Sequence, residues 1–305
     1  MILTVTCNPA LDITYTVDRL RPGAVHRVSE AFVRPGGKGV NVSRVLHQLG
    51  EPVRALGLAD AGFGARLAEL GVPASFEEAV PEVRRTIVVK DAETTSLWER
   101  GHPVAPGAVD RLVGTLEEHL GEARALVVSG SLPPGVAADL PVRLARLAAE
   151  ASVPVVLDLD DEPLAAAVRG GGAVLTPNTD ELARLLGAAD DPVASVRALA
   201  ARTGAPVVHT LGERGLLATD GTSVWRASLP RPIAGNPTGA GDAVTACIAR
   251  GLALSHAWPD ILRDAVALGA AAVAVPTAGE VDLAAYDSHL AEALVEVVDP
   301  ARAER

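Results

Sequence analysis

The chain has 305 residues, of which 49% are hydrophobic and 21% charged, so it is long enough to bury a large core. Its formal net charge of -11 argues against binding to nucleic acid or to anionic membrane surfaces, because both require basic patches. An anionic small molecule is not excluded, since a few local cations can override the overall charge. The two cysteines lack metal-ligand spacing and the N-terminus lacks a basic leader, so we expect a reduced, cytoplasmic protein without a signal peptide.

Short apolar runs alternate with amphipathic helical patterns along most of the chain. The runs that we predict as buried strands are 2–7, 125–129, 154–159, 173–176 and 206–210. The patterns that we predict as helices are 40–49, 108–120, 137–151, 180–186, 192–203, then 239–275 and 283–298. We expect the last residues, 300–305, to be frayed. The alternation predicts an α/β fold with a doubly wound, mostly parallel sheet.

Two stretches, 15–33 and 84–97, instead alternate apolar and polar residues without an intervening helix. The second reads as a hairpin whose turn lies near residues 91–94. A few antiparallel strands appended to the α/β core would form a lid, made of about 13–34 and 84–99. Such a lid would cover the carboxyl ends of the parallel strands, where ligands bind in open α/β sheets. We therefore expect a single domain over 1–305 that carries this small β-sheet lid.

The segment NPTGAGDA, residues 236–243, precedes a helical pattern and is the strongest local signal. Small residues let the backbone approach a ligand, and N–H groups at a helix N-terminus form a site for anions such as a phosphoryl group in transfer. Asp242 is placed to take the proton of an attacking hydroxyl. The alternative is a glycine turn followed by an acidic residue, which stabilises any helix N-terminus.

The segment PGGKGVNV, residues 35–42, also places glycines before an amphipathic helix. Such glycines admit a polyhydroxylated ligand against the backbone, and Asn41 can both donate and accept hydrogen bonds. The segment is no P-loop, because Phe32 stands where the first glycine belongs and Gly39 where Ser or Thr belongs. Lys38 is one of only two lysines in the chain, which favours a specific role. A plain glycine turn remains the alternative.

Three further segments follow predicted strands. Asn178 and Glu181 are three residues apart at a helix start, where their oxygens could hold hydrated Mg²⁺ or form an ordinary N-cap. Ser129 opens the turn SGSLPPG, and TLGERG, residues 210–215, could pass close to a nucleotide. The sequence has no G-x-S-x-G elbow, no H-E-x-x-H and no cysteine cluster.

Taken in order, these segments resemble the ribokinase-like sugar kinases, also called the phosphofructokinase B family, from about residue 2 to 298. GGKGVNV and NPTGAGD are the specific pieces, and CNPALD, SGSLPPG, PNTDE and TLGERG match as well. Within the family the chain is most similar to the 1-phosphofructokinase and tagatose-6-phosphate kinase branch. The resemblance implies a ribokinase-like domain with a β-sheet lid, ATP with Mg²⁺ as phosphoryl donor, and a homodimer joined through the lids.

The resemblance also implies roles for individual residues. Asp242 would be the catalytic base, and the anion hole would consist of Gly239, Ala240 and Gly241. The residues that would hold the sugar are Asp12, Gly37, Lys38, Asn41 and Ser129. Those that would border the nucleotide are Asn178, Thr210, Gly212, Gly215 and Thr238, with Asn178 and Glu181 organising Mg²⁺ indirectly. One departure is Thr176, which stands where many relatives carry a lysine near the phosphates.

The leading hypothesis is ATP-dependent phosphorylation of a hydroxyl of a ketohexose phosphate: fructose 1-phosphate, tagatose 6-phosphate or fructose 6-phosphate. Arg27 and Arg85 match basic positions that bind the sugar phosphate in this branch, and a guanidinium group can engage phosphate oxygens bidentately. Lys38 is a further candidate to hold this phosphate. The alternative is that both are surface arginines of the lid. Two other functions stay open, a kinase for an unphosphorylated sugar or nucleoside and a catalytically silent sugar-binding regulator.

Overall fold

The computed structural model describes residues 1–28, 31–91, 94–187 and 191–298. The strands are β1 Ile2–Thr6, β2 Ala10–Thr16, β3 Ala31–Gly36, β4 Val53–Ala59, β5 Ala74–Glu78, β6 Arg84–Lys90, β7 Thr94–Trp98, β8 Ala125–Ser129, β9 Val155–Asp158, β10 Val174–Leu175, β11 Val207–Thr210, β12 Leu216–Thr219, β13 Val224–Ser228 and β14 Leu294–Val297. The α-helices are α1 Lys38–Gln48, α2 Phe63–Ala68, α3 Ala108–Leu120, α4 Leu140–Glu150, α5 Asp161–Gly170, α6 Thr179–Leu186, α7 Pro192–Thr203, α8 Ala240–Ala253, α9 Trp258–Val273 and α10 Leu283–Glu292. A 3₁₀ turn covers Gly212–Arg214.

Ten strands of the described residues form one sheet in the order β14-β13-β12-β11-β10-β9-β8-β1-β4-β5. The pairs from β11 to β5 are parallel, and β12, β13 and β14 continue the sheet in antiparallel pairs. Every residue of β1 and β8 is buried, because helices cover both faces of the sheet. The side chains on the two faces pack into two separate hydrophobic clusters. The predicted doubly wound, mostly parallel α/β sheet is confirmed.

Some predicted elements differ from the structure. Residues 283–298, predicted as one helix, divide into α10 and the edge strand β14, and residues 239–275 divide into α8 and α9. The prediction failed at β14 because this strand is held by backbone hydrogen bonds to β13, a partner remote in sequence. Strands β4, β5, β12 and β13 were not predicted either.

The small sheet has the order β3-β2-β6-β7. Strands β6 and β7 lie within the range 84–99 given for the lid, whereas β2 begins before residue 13 and β3 ends after residue 34. The hairpin β6–β7 is confirmed, although residues 92–93 of its turn lie outside the described residues, as do 29–30 and 300–305. The expectation of a purely antiparallel sheet is wrong, because β2 and β6 pair in parallel. Between these two strands the chain passes through β3, α1, β4, α2 and β5, and this long crossover returns it in the same direction.

The register of the small sheet decides which side chains share a face. Asp12 lies opposite Arg34 on one side and Thr86 on the other, so these three side chains are on the same face. Ile13, between Val33 and Ile87, lies on the opposite face.

The carboxyl ends of the parallel strands of the large sheet all lie at one edge. The polar residues at or just after these ends are Asn8, Ser129, Asp158, Asn178 and Thr210. No helix among the described residues has the length and apolar character needed to cross a membrane.

Candidate active site

The N-terminus of α8 is packed so closely that only glycine fits at residue 239. Gly239 has a φ of 90°, and a Cβ atom there would lie 2.8 Å from the Cα of Ala278. The first N–H groups of a helix have no partner within it, and the helix dipole adds positive potential at that end. The turn formed by Gly239, Ala240 and Gly241 is therefore a fitting site for an anion.

Asp242 lies in the first turn of α8 and is only 6% exposed. Its Oδ2 accepts a hydrogen bond of 2.8 Å from Nδ2 of Asn41 in α1. Burial and the nearby negative charge of Asp158 raise the pKa of Asp242 to about 7, although Lys38 and Asn41 act in the opposite direction. A carboxylate that titrates near neutrality is suited to accept a proton.

Lys38, the first residue of α1, lies among carboxylates at this edge of the sheet. Its Nζ is 3.1 Å from Oδ1 of Asp158 and 3.9 Å from Oε1 of Glu181. Ser129 donates a hydrogen bond of 2.7 Å to the other oxygen of Asp158. Burial would lower the pKa of Lys38, but the charges of Asp158, Glu181 and Asp242 together raise it, so the ammonium group stays charged.

A cleft of about 760 Å³ extends from Asp242 along the edge of the sheet. The predicted site residues that line it are Lys38, Asn178, Glu181, Thr210, Gly212, Gly215, Gly239, Ala240, Gly241 and Asp242. Apolar side chains form its other walls, among them Leu211, Leu229, Val266 and Val273. Thr176 also lines the cleft and is buried. The cleft thus joins an anion site to an apolar recess, the combination that a nucleotide requires.

The start of α6 shows the N-cap arrangement of Asn178 and Glu181. Oδ1 of Asn178 accepts from the N–H of Glu181, and Oε2 of Glu181 accepts from the N–H of Asn178, each at 2.9 Å. These bonds form a capping box. Oε1 of Glu181 remains directed towards Lys38. Burial raises the pKa of Glu181, with Lys38 opposing.

Asp12, in β2 of the small sheet, is near enough to Asp242 for its negative charge to raise the pKa of Asp242. Burial raises the pKa of Asp12 to about 6, against the charges of Arg84 and Arg44 and a hydrogen bond from Thr86. Arg84 is partly buried, and its Nε donates to the carbonyl of Asn8 at 3.1 Å. Asn8 in turn donates to Oγ of Ser131, also at 3.1 Å.

The remaining predicted residues have other surroundings. Gly37 is the N-cap of α1, and the hydroxyl of Ser129 donates its hydrogen bond to Asp158. Arg27 is exposed in the connection between β2 and β3. Arg85 is on the face of the small sheet opposite Asp12, where its Nη2 contacts Oε2 of Glu82 at 2.9 Å. Thr238 is exposed, and its N–H donates to Oδ1 of Asn236 at 3.2 Å.

Sequence reasoning missed three residues of this site. Asp158 ends β9, and an acidic residue at the carboxyl end of a buried strand was a usable signal. Arg84 directly precedes Arg85, and only the pairing of β6 with β2 shows that Arg84, and not Arg85, lies on the face of Asp12. Asn8 follows β1 within the CNPALD segment but showed no pattern of its own.

Comparison with known proteins adds independent evidence. A family model described as pfkB family carbohydrate kinase matches residues 6–284. Phosphofructokinase-2 from Escherichia coli in complex with fructose-6-phosphate is 26% identical, with a TM-score of 0.82 over 95% of this chain and 98% of that chain. A possible 1-phosphofructokinase from Thermotoga maritima is 25% identical, with a TM-score of 0.84 over 98% and 99%.

Ribokinase from Arabidopsis thaliana, complexed with ribose and ATP, is 21% identical, with a TM-score of 0.71 over 95% of this chain and 98% of that chain. This likeness shows the ribokinase-like fold alone. The family match spans most of the chain and includes both glycine segments and Asp242. The chain belongs to the pfkB family of carbohydrate kinases.

Proposed function

We propose that this kinase transfers the γ-phosphoryl group of ATP to a hydroxyl of a ketohexose phosphate: fructose 1-phosphate, tagatose 6-phosphate or fructose 6-phosphate. The observation that carries the proposal is Asp242, buried, titrating near neutrality and placed beside the glycine turn at the start of α8. The relative from Escherichia coli that binds fructose-6-phosphate supports a phosphorylated acceptor.

Asp242 is the proton acceptor in this proposal. Its carboxylate takes the proton of the acceptor hydroxyl as the oxygen attacks the phosphoryl group. Asn41 donates to one oxygen of Asp242 and so fixes its orientation. Within the described residues, Oδ1 of Asn41 is buried without a hydrogen-bond partner, and a sugar hydroxyl can satisfy it.

The turn of Gly239, Ala240 and Gly241 receives the transferring phosphoryl group. The N–H of Ala240 donates to the carbonyl of Pro237 at 3.2 Å, so the other N–H groups of the turn, together with the dipole of α8, stabilise negative charge on the phosphoryl oxygens. Lys38, held charged by Asp158 and Glu181, adds a cation between the acceptor and the donor. This cation also compensates in part for Thr176, which occupies the position of a lysine in many relatives.

The cleft fits ATP with Mg²⁺. Nothing lies within 4 Å of the position that a Cβ atom of Gly241 would take, so there is space for phosphate at the start of α8, and the apolar walls suit a purine base. Within the described part of the chain, no three His, Cys, Asp or Glu side chains converge on a metal position. Asn178 and Glu181 line the cleft, and their oxygens would hold Mg²⁺ indirectly, through water. Bound Mg²⁺ supplies positive charge against the phosphate oxygens.

The acceptor occupies the space between Asp242 and the small sheet. Asp12 accepts hydrogen bonds from its hydroxyls, with Gly37 and Asn41 alongside. Arg84, on the face of Asp12, is the first candidate to hold the acceptor phosphate, with Ser131 nearby. Arg27 and Arg85 remain second candidates, since neither lies on a strand face shared with Asp12.

A coupled ADP-release screen tests the proposal. The purified protein is assayed with ATP and Mg²⁺ against fructose 1-phosphate, fructose 6-phosphate and tagatose 6-phosphate, and against free fructose, tagatose and nucleosides. We expect turnover with at least one ketohexose phosphate at a kcat/KM well above that of the free sugars. Preference for a free sugar or nucleoside would replace the proposal with the corresponding kinase. ADP release with none of them would support a silent sugar-binding regulator.

A further inference from the structure

The loop of residues 276–280, between α9 and α10, contacts both sides of the candidate active site. The carbonyl of Pro276 accepts hydrogen bonds from Nζ of Lys90 in β6 at 2.7 Å and from Nδ2 of Asn236 at 3.0 Å. Lys90 belongs to the small sheet, and Asn236 precedes the glycine turn of α8. The loop therefore connects the acceptor side to the phosphoryl side.

A buried arginine holds this loop from α1. Arg44 is 7% exposed, and its Nη1 donates to the carbonyl of Ala278 at 3.0 Å. Its Nη2 donates to Oε1 of Glu280 at 2.8 Å. Oε2 of Glu280 accepts from Thr277 at 2.9 Å, and Arg34 of β3 lies 4.0 Å from Oε1. Neither Arg44 nor Glu280 is among the residues that line the cleft.

The packing around the loop leaves little space for rearrangement. Gly279 has a φ of +74°, and a Cβ atom there would lie 2.9 Å from Nη1 of Arg44 and 2.9 Å from Oδ1 of Asn41. On its other side, Ala278 is the residue that a Cβ atom at Gly239 would strike. The loop thus lies directly between Asn41, which orients Asp242, and the anion-binding turn.

The charge of Arg44 depends on Glu280. Burial lowers the pKa of Arg44, and the carboxylate of Glu280 is the main opposing influence. A buried guanidinium group without its carboxylate is strongly unfavourable, so neutralising Glu280 should displace Arg44 and the loop that it holds. That displacement would reach Asn41 and Gly239 first, because both are in contact with the loop.

We propose that Arg44 and Glu280 are positioning residues for phosphoryl transfer: their ion pair holds the 276–280 loop between Asn41 and Gly239, and so fixes Asp242 relative to the anion-binding turn. The inference rests on the proposed function for its catalytic consequence. That the ion pair restrains the anion-binding turn does not depend on the proposed function.

The test compares Glu280→Gln with Glu51→Gln. Glu51 pairs with Arg250 at 2.7 Å, near the opposite end of α8 and away from the cleft, and Arg250 also contacts Asp264 at 3.2 Å. Glu51→Gln is therefore a control for the loss of one carboxylate from an ion pair outside the site. The first measurement is hydrogen exchange, by mass spectrometry, of peptides that cover residues 236–243, without any substrate. The second is kcat and KM with the acceptor found in the screen, and the melting temperature is recorded for each variant.

In Glu280→Gln we expect exchange over 236–243 to accelerate and kcat to fall about 10- to 100-fold, the loss typical of a small misplacement of catalytic groups. KM for the acceptor should change much less. Glu51→Gln should lose thermal stability but keep wild-type exchange over 236–243 and wild-type kcat. Equal exchange over 236–243 in the two variants would overturn the proposal. So would an equal fall in kcat in both variants, in proportion to the fall in melting temperature.

Arg44→Lys provides the second variant if Glu280→Gln does not fold. Lysine keeps the charge but lacks the planar fork that reaches both Ala278 and Glu280. Its exchange over 236–243 should also exceed that of Glu51→Gln, and wild-type exchange would contradict the proposal. If wild-type protein releases no ADP with any acceptor, the proposed function fails, and the exchange comparison still decides the role of the ion pair.

Discussion

The side chain of Asp242 is removed from water beside a second carboxylate, Asp158, and both conditions disfavour its charged form. The positive charge of Lys38 only partly compensates. As a result the pKa of Asp242 lies at about 7, where a base is both available and strong enough to assist an attacking hydroxyl.

Replacing Asp242 by asparagine should nearly abolish turnover. General-base assistance contributes about 10²–10⁴-fold to rate, and asparagine cannot accept the proton in the transition state. It can still form a hydrogen bond with the ground-state hydroxyl, so the acceptor KM should change little. Steady-state measurement of kcat tests this role. If the variant keeps more than roughly a tenth of wild-type kcat, Asp242 is not the general base.

The same substitution should change how stability depends on pH. The pKa of Asp242 is raised on folding from 3.8 to about 7, so its stabilising contribution is present below 3.8 and is lost as pH rises through about 7. Asp242→Asn should therefore melt at a higher temperature than wild type at pH 8, and the difference should shrink as pH falls towards 4. Thermal unfolding of both proteins between pH 4 and pH 8 measures this difference in melting temperature. A difference that does not change with pH would contradict the raised pKa of Asp242.

The neighbouring arginines Arg84 and Arg85 make a matched pair, because they lie on opposite faces of one strand. Charge-assisted hydrogen bonds contribute roughly 1.5–3 kcal/mol, so Arg84→Ala should lower kcat/KM for the sugar phosphate at least about 10-fold. Free fructose should lose little, since it has no phosphate. Arg85→Ala should have the smaller effect. A larger loss in Arg85→Ala would move the phosphate contact to the opposite face, and no loss in either variant would favour an unphosphorylated acceptor.

The helix α6 shows how one side chain can serve both folding and chemistry. Glu181 closes the capping box with Oε2 and directs Oε1 at Lys38. A glutamine can keep the cap but not the negative charge, whereas alanine removes both. The two substitutions therefore separate the structural contribution from the contribution to metal binding.

Glu181→Gln should raise the Mg²⁺ concentration needed for half-maximal activity while changing the acceptor KM less. Glu181→Ala should do the same and also lower the melting temperature, because loss of a cap costs roughly 0.5–2 kcal/mol. Titration of activity with Mg²⁺, alongside thermal unfolding, measures both effects. If the metal requirement is unchanged in the glutamine variant, Glu181 acts only at the start of the helix.

The small sheet exposes apolar side chains on the face opposite Asp12. Val33, Ile13, Ile87 and Leu97 lie side by side across its four strands, and Val33 and Leu97 are 49% and 58% exposed. Within the described residues, the outer strands β3 and β7 each pair on one side only. An exposed apolar row between such outer strands favours association with a second copy.

We expect a homodimer joined through this row. Light scattering at micromolar concentration should give the mass of two chains for wild type, and Leu97→Asp should shift it to one, because a buried unpaired carboxylate opposes association. Arg146→Asp, on the exposed surface of α4, is the matched control and should leave the mass unchanged. A monomeric wild-type protein would contradict the expectation.

The sequence by itself determined the α/β class, the strands from β8 to β11 and the glycine segments around Lys38 and Asp242, because local pattern and composition carry these features. Tertiary structure alone decided the rest. Asn41 and Asp242 meet across 201 positions of the chain, β14 exists only through its pairing with β13, and the parallel pairing of β2 with β6 places Arg84 beside Asp12. Such contacts depend on burial and strand register between remote segments, which leave no local pattern in the sequence.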